Sequence, residues 1–289
     1  MRRKHPKPKW LKMRMPSGSE LFSLKKTLNN KNLHTICQDA KCPNMNECWN
    51  NKHATFLIMG NICSRNCLFC SVPTGECTPL DKNEPKKILA MTDIMQLKYA
   101  VITSVTRDDL PDGGAKHFAS VIKELKKEKT KLLIEVLIPD FKGKVKDIEI
   151  VLNAKPDVLN HNIETVKSLY SKVNRKPENY NRSMSVLKYS NSKEFITKSG
   201  IMIGLGETTE ELNILFDDLL NNGVQLLTIG QYLQPTTKSI EVEKYYTPDE
   251  FSELKEIALS KGFLKVESGP FVRSSYRAEE MYKEAIQIK

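Results

Sequence analysis

Ala54-Thr55-Phe56-Leu57-Ile58-Met59-Gly60-Asn61-Ile62-Cys63-Ser64-Arg65-Asn66-Cys67-Leu68-Phe69-Cys70 is the stretch on which the reading of the fold turns. Ala54–Met59 is a short apolar run, the pattern of a buried strand, and a glycine ends it. Directly after it comes C-x3-C-x2-C, with an aromatic residue before the last cysteine. Three thiolates this close in sequence can face one point. Soft sulfur suits iron, and a four-iron cluster held by only three protein ligands leaves one iron open to a small molecule. The competing reading is structural zinc. That metal usually closes with four ligands and pairs its cysteines as C-x2-C twice, and the nearest spare ligand here is Cys77.

Outward from this stretch the same kind of apolar run recurs at Tyr99–Val105, Lys131–Ile138, Asp157–Asn160, Ile196–Ile203 and Val224–Gln231. Helical patterns lie between them at Glu84–Leu97, Ala115–Glu128, Lys144–Asn153, Thr165–Tyr170 with Asn181–Asn191, and Thr209–Asn222. Strand alternating with helix predicts a parallel sheet with right-handed crossovers, in an open doubly wound sheet or a complete or partial barrel of the TIM type. A further helix is expected over Tyr246–Lys261, capped at Thr247-Pro248-Asp249-Glu250, and another over Ala278–Ile286. N-terminal to the first strand the chain is rich in Asn, Lys and Cys and reads as a wrapped extension with a short helix near Gly18–Asn30.

That extension carries a second trio, Cys37-Gln-Asp-Ala-Lys-Cys42-Pro-Asn-Met-Asn-Glu-Cys48, spaced C-x4-C-x5-C. A second trio implies a second cluster, zinc being again the alternative. All seven cysteines lie between Cys37 and Cys77. An odd number packed into one segment does not suit a disulfide framework and points to metal binding in a reducing compartment. Cys77 reads as an unligated bystander. The formal charge is +10, from 45 Lys and Arg against 35 Asp and Glu. Its denser runs, Met1–Arg14 and Lys123–Lys131, read as a solvated tail and a solvated helix face. No apolar stretch approaches the ~20 residues of a membrane span, and the N-terminus lacks the apolar core of a secretory signal. The expected location is the cytoplasm.

With both trios in place, the chain resembles the lipoyl synthases of the radical S-adenosylmethionine (SAM) superfamily. The likeness is carried by Cys37, Cys42 and Cys48 followed by Trp49, and by Cys63, Cys67 and Cys70. It continues through Arg107-Asp108-Asp109-Leu110-Pro111-Asp112-Gly113-Gly114, His161-Asn162-Ile163-Glu164-Thr165, Gly204-Leu205-Gly206-Glu207-Thr208, Gln231-Tyr232-Leu233, Gly269-Pro270 and Arg273-Ser274-Ser275-Tyr276. The resemblance implies two 4Fe-4S clusters. Cys63, Cys67 and Cys70 would hold the one that binds SAM; Cys37, Cys42 and Cys48 would hold an auxiliary one whose fourth ligand is Ser275. On the residues alone, Ser274 and Ser275 serve equally well as a helix cap.

The resemblance further implies that a 5′-deoxyadenosyl radical takes hydrogen from C6 and then, with a second SAM, from C8 of an octanoyl chain on a carrier lysine. Two sulfur atoms from the auxiliary cluster then give lipoyl-lysine. The carriers would be E2 subunits of 2-oxoacid dehydrogenases or the glycine-cleavage H protein. Electrons would come from a ferredoxin or flavodoxin, and an iron-sulfur carrier would rebuild the cluster. Asn162, Glu164, Gly204, Gly206, Glu207, Arg107 and Arg273 are the expected SAM-site residues, each with a local turn, cap or ion-pair role as the competing reading. No general acid-base dyad or triad is visible, and the reaction implied needs none. The fold expectation is α/β, a partial TIM-type (β/α)6 parallel barrel over residues 51–262. An N-terminal cluster-binding extension would occupy 1–50 and a C-terminal extension 263–289. Two rivals stand beside this: another radical SAM enzyme with an auxiliary cluster, and a zinc-dependent nucleic-acid module. The second needs basic residues interleaved with aromatic stacking groups, which the sequence does not show, so neither nucleic acid nor membrane is an expected partner.

Overall fold

A computed structural model describes residues 6–12, 19–39 and 42–288. The ends of the basic run Met1–Arg14, and Gly18 at the start of the expected first helix, lie outside the described residues. The elements are α1 (Ser19–Asn30), β1 (His34–Thr35), α2 (Ile36–Asp39), α3 (Met45–Asn50), β2 (His53–Ile58), α4 (Glu84–Ile94) and β3 (Tyr99–Ser104). There follow α5 (Ala115–Glu128), β4 (Leu133–Leu137), α6 (Val145–Leu152), β5 (Val158–Asn160), α7 (Glu178–Ser192) and β6 (Ile196–Ile203). The chain ends with α8 (Thr209–Asn221), β7 (Leu226–Gln231), α9 (Pro248–Lys261), β8 (Lys265–Gly269) and α10 (Ala278–Ile288). The strands take sequence order in the sheet. Pairing is parallel at β2·β3, β3·β4, β6·β7 and β7·β8, and antiparallel where β1 adds to β2. This is the α/β, partial TIM-type arrangement expected.

Two compact units make up the chain. One contains residues 19–39, 42–66 and 72–159. Every residue of its strand β2 is buried, as a parallel strand covered on both faces requires, which is why its sequence is a continuous apolar run rather than an alternation. Helix α5 buries Phe118, Val121, Ile122 and Leu125 completely. That spacing makes a single apolar stripe, and each such side chain contributes about 1.5–3 kcal/mol of burial. The other unit contains residues 6–12, 67–71 and 160–288. Its core gathers Ile201 and Ile203 of β6, Leu227 and Ile229 of β7, and Leu212, Leu215, Phe216 and Leu219 of α8. Helices α8 and α9 start on complete capping boxes, Thr208 with Glu211 and Thr247 with Glu250.

Three local expectations change. Residues 165–170 are not a helix: only Lys167–Leu169 form a single 3-10 turn, because Val166 is extended at its start. Helix α7 begins at Glu178, with Pro177 at its N-cap. Finally, β1 and β8 flank the six expected strands. Strand β8, Lys-Val-Glu-Ser-Gly, is only partly buried, so its sequence lacks an apolar run.

Candidate metal centre

In the first unit the N-terminal trio sits on two short helices. Cys37 lies in α2 and Cys48 in α3, with Cys42 between the two helices in sequence. The Cys42 N–H donates to the Cys37 carbonyl at 2.9 Å, and the Cys48 N–H to the Asn44 carbonyl at 2.9 Å. Cys37 is buried; burial, then the charge of Cys42, push its thiol up to about 11, against weaker opposing hydrogen bonds from Thr55 and Trp49. The Trp49 indole N–H is itself buried, with the Cys37 sulfur as no more than a weak partner, and a thiolate or sulfide would accept it fully. None of the seven cysteines is in a disulfide, so the donor set is chemically fit for iron and sulfide. Among the described residues no three Cys, His, Asp or Glu side chains converge as a ready-made cage.

Cys63 follows β2 across Met59 and Gly60, both of positive φ. The carboxylate of Glu84 accepts the Met59 N–H at 3.0 Å and contacts His117 Nε2 at 2.6 Å, while Arg107 donates to the Met59 carbonyl at 3.3 Å. The strand end is therefore held through both backbone polar groups. Cys63 is then bridged to the returning chain, its N–H donating to Pro73 at 2.8 Å and its carbonyl accepting from Gly75 at 3.1 Å. Cys77 donates to the Ile62 carbonyl at 3.2 Å. Its thiol is raised by burial first, then by Asp109. The Arg107 guanidinium, expected against SAM, is buried and lies on both Asp109 oxygens at 2.8–3.2 Å.

In the second unit Cys67 and Cys70 close a turn, the Cys70 N–H donating to the Cys67 carbonyl at 3.0 Å. Between them Leu68 is tied by backbone hydrogen bonds to Val173 and Ile240, and Phe69 packs against Val173, Leu205, Tyr232 and Val242. Asn162 follows β5, donating from Nδ2 to Ser274 Oγ at 2.8 Å, with its own Oδ1 buried and unpartnered. Glu164 takes a left-handed conformation (φ 72°), uncommon without glycine, and bridges Ile201 of β6. Burial raises its carboxyl pKa, opposed by the charge of Arg175 and a hydrogen bond from Asn162. After β6, the Glu207 carboxylate accepts the Gly204 N–H at 2.5 Å and the Leu205 N–H at 2.9 Å. Gly204 and Gly206 have φ of 100° and 113°, which only glycine adopts readily. This loop thus closes on itself through Glu207. Arg273 donates to the Val272 carbonyl at 2.6 Å, and Ser275 lies in the turn preceding α10. Sequence reasoning missed Ser64, Arg65, Glu84 and Asp140. Their partners are too distant in sequence for spacing to show, although a charge inside a cysteine motif was a usable signal for Arg65.

The sequence pattern of the radical SAM superfamily matches residues 57–219, and that of the N-terminal domain of lipoyl synthase matches residues 2–42. A lipoyl synthase of Rubrobacter xylanophilus is 49% identical over 98% of this chain and 89% of its own length. That of Bacillus subtilis is 48% identical over 96% of this chain and 94% of its own. Among solved structures, Streptococcus suis SuiB bound to the precursor peptide SuiA superposes with a TM-score of 0.59 at 14% identity, covering 91% of this chain and 55% of that one. HydG, a maturase of the [FeFe]-hydrogenase, gives 0.59 at 14% identity over 92% and 64%. At such identity these two speak for the fold alone.

Proposed function

The chain belongs to the lipoyl synthase family of radical SAM enzymes, with SAM, a 4Fe-4S cluster and lipoyl-carrier proteins as its coreactants, and from that premise we propose that it inserts sulfur at C6 and C8 of an octanoyl-lysine on the carrier. The observation that carries the finer reading is the pair of thiol trios, all without disulfides, in one short segment. Cys63, Cys67 and Cys70 hold the cluster that binds SAM. Cys37, Cys42, Cys48 and Ser275 hold an auxiliary one that is consumed. When bound, the two groups would supply one electron to each of two SAM molecules and two sulfur atoms to the chain. The protein's own work is orientation and exclusion of water.

Several residues fit that work. Asn162, with its orphaned Oδ1, has an acceptor to offer a ligand donor such as an adenine or ammonium group. Glu164 offers a carboxyl in the same strand-end segment. Gly204 and Gly206 let backbone approach a ligand, with Glu207 holding their loop in shape. Arg107 acts one step back, clamping Met59; Arg273 lies beside the serine turn. Electrons from a ferredoxin or flavodoxin, cluster rebuilding by an iron-sulfur carrier, and a reducing cytoplasm complete the reading. No helix among the described residues is long and apolar enough to cross a membrane.

The test is anaerobic mass spectrometry of an octanoyl-lysyl peptide incubated with iron- and sulfide-reconstituted protein, SAM and dithionite. Dithiolated peptide with 5′-deoxyadenosine supports the proposal. Deoxyadenosine without sulfur in the peptide overturns the substrate.

A further inference from the structure

Arg65 stands between the first two thiols of its motif, and its Nε, Nη2 and both backbone polar groups are engaged within one compact unit. Its Nε donates to Asp108 Oδ2 at 2.7 Å, and its Nη2 to Asp108 Oδ1 at 3.0 Å and to Asp140 Oδ1 at 2.7 Å. Its backbone N–H points at Cys63 Sγ, 3.4 Å away, and its carbonyl accepts from Thr74 Oγ1 at 2.9 Å. Next to it, Ser64 donates to the Thr106 carbonyl at 2.9 Å and accepts the Asp108 N–H at 3.0 Å. The loop leaving β2 is thereby fastened to the loops leaving β3 and β4. Asp140 is a strong anchor: its side chain has no exposed surface, and its Oδ1 also accepts the Lys142 N–H at 3.1 Å. Burial works against the guanidinium charge, but the bonds to the two carboxylates outweigh it and keep Arg65 charged.

A carboxylate with no solvent must have a cation, so stability alone accounts for one Arg–Asp contact. It does not call for the second carboxylate, or for siting the arginine inside the cysteine motif. A planar fork that bridges two rigid loops fixes direction as well as charge, which an ammonium on a flexible stem does not. We propose that Arg65 is a positioning residue that uses Asp108 and Asp140 to preset the Cys63 thiol for cluster assembly. The inference rests on Cys63 being a cluster ligand and goes beyond it. Presetting one thiol removes part of the ordering cost of chelation, and the N–H directed at its sulfur is the kind of contact that tunes a cluster's electronic state.

The test uses the full chain with Cys37, Cys42 and Cys48 replaced by alanine, so that bound iron reports only the Cys63 trio. Arg65→Lys keeps the charge and loses the fork. Asp108→Asn removes one carboxylate at a partly exposed position, and carries the test should Arg65→Lys fail to fold around Asp140. Iron uptake is titrated anaerobically with ferrous iron and sulfide, the dithionite-reduced protein is examined by EPR, and the Tm of each apo chain is recorded. Removing such supporting contacts lowers apparent affinity about 10- to 100-fold, so that is the loss expected in both variants. The EPR signal should broaden, while Asp108→Asn keeps the apo Tm of its parent. Iron uptake and EPR equal to the parent's, or losses that merely follow Tm, overturn the positioning role. A parent with Arg65 intact that binds no iron overturns the cluster reading instead, and this inference with it.

Discussion

Asn162 Nδ2 donates to Ser274 Oγ at 2.8 Å, a hydrogen bond spanning 112 residues of sequence. It joins a proposed SAM-contact position at the end of β5 to the turn that carries the proposed cluster ligand Ser275. The tight fit around Asn162 extends to Gly200, where a Cβ would lie 2.8 Å from the Asn162 amide oxygen. Ser274→Ala removes one acceptor of the amide, which keeps only its bond to Glu164, beside an oxygen that already lacks a partner, at a cost of about 1 kcal/mol. Urea unfolding should show that loss and equilibrium dialysis a weaker affinity for SAM, with Ser274→Thr restoring both. Unchanged SAM affinity in Ser274→Ala would detach the serine turn from the cofactor site.

Glu164 gives a pH dependence of definite sign. Burial raises its carboxyl pKa in the folded chain, so between the unfolded and folded values the native state binds the extra proton and stability falls as pH rises. Above the folded value the buried carboxylate is a standing penalty; below the ordinary value of 4.5 it vanishes. Glu164→Gln removes the titration. The variant should melt higher than the parent at neutral pH, and the gap should close on acidification towards pH 4.5. A gap that widens on acidification would show that Arg175 and Asn162, not burial, dominate this carboxyl.

How much of this was readable beforehand depends on where each signal is stored. Strands β2, β3, β6 and β7 announce themselves because burial on both faces forces apolar runs. The residues of β8 face burial only in part, so Lys265 and Glu267 conceal it. Thr165–Tyr170 carries apolar residues at helical intervals, Val166 and Leu169 among them. They serve instead to seat an irregular segment, with the Tyr170 hydroxyl bonded to the Ile163 carbonyl at 2.7 Å. The thiol trios were legible because ligand spacing is local. The devices that support them were not: Arg65 meets Asp108 and Asp140 across 43 and 75 residues.

Helix α9 supplies a stability prediction away from the proposed chemistry. Thr247 Oγ1 accepts the Glu250 N–H at 3.2 Å, and Glu250 Oε2 accepts the Thr247 N–H at 2.7 Å. Thr247→Ala removes the first and loosens the second, costing about 1 kcal/mol. Calorimetry should record a fall in Tm of about 2–4 °C, with deoxyadenosine formation unchanged. A larger fall would mean that the cap also orders the Lys244–Tyr246 segment before it.

Gly204 tests whether the loop after β6 is shaped by its backbone. A Cβ there would collide with the Gln231 side chain and the Lys244 carbonyl, and its φ of +100° is hostile to any L side chain. Gly204→Ala must therefore displace the loop that Glu207 closes, losing about 1–3 kcal/mol of stability. Because the displaced loop is a proposed wall of the SAM site, the KM for SAM should rise more than kcat falls. A pure stability loss, with KM unmoved, would place SAM away from this loop.

The two thiol trios make separable predictions, since by the proposal they do different work. Cys67→Ala removes a ligand of the cluster that binds SAM, so neither 5′-deoxyadenosine nor thiolated peptide should form. Cys37→Ala spares that trio and disables the sulfur source, so deoxyadenosine should still accumulate while the octanoyl peptide gains no sulfur. Iron analysis should show about half the parent's content in each, because a cluster short of one of three thiolates is poorly held. Cys77→Ala supplies the control: a thiol in the same segment, assigned to neither trio, whose loss should leave iron content and both products near the parent's level. Equal loss of deoxyadenosine in Cys37→Ala and Cys67→Ala would mean that the trios build one site rather than two, and the division of labour would fail.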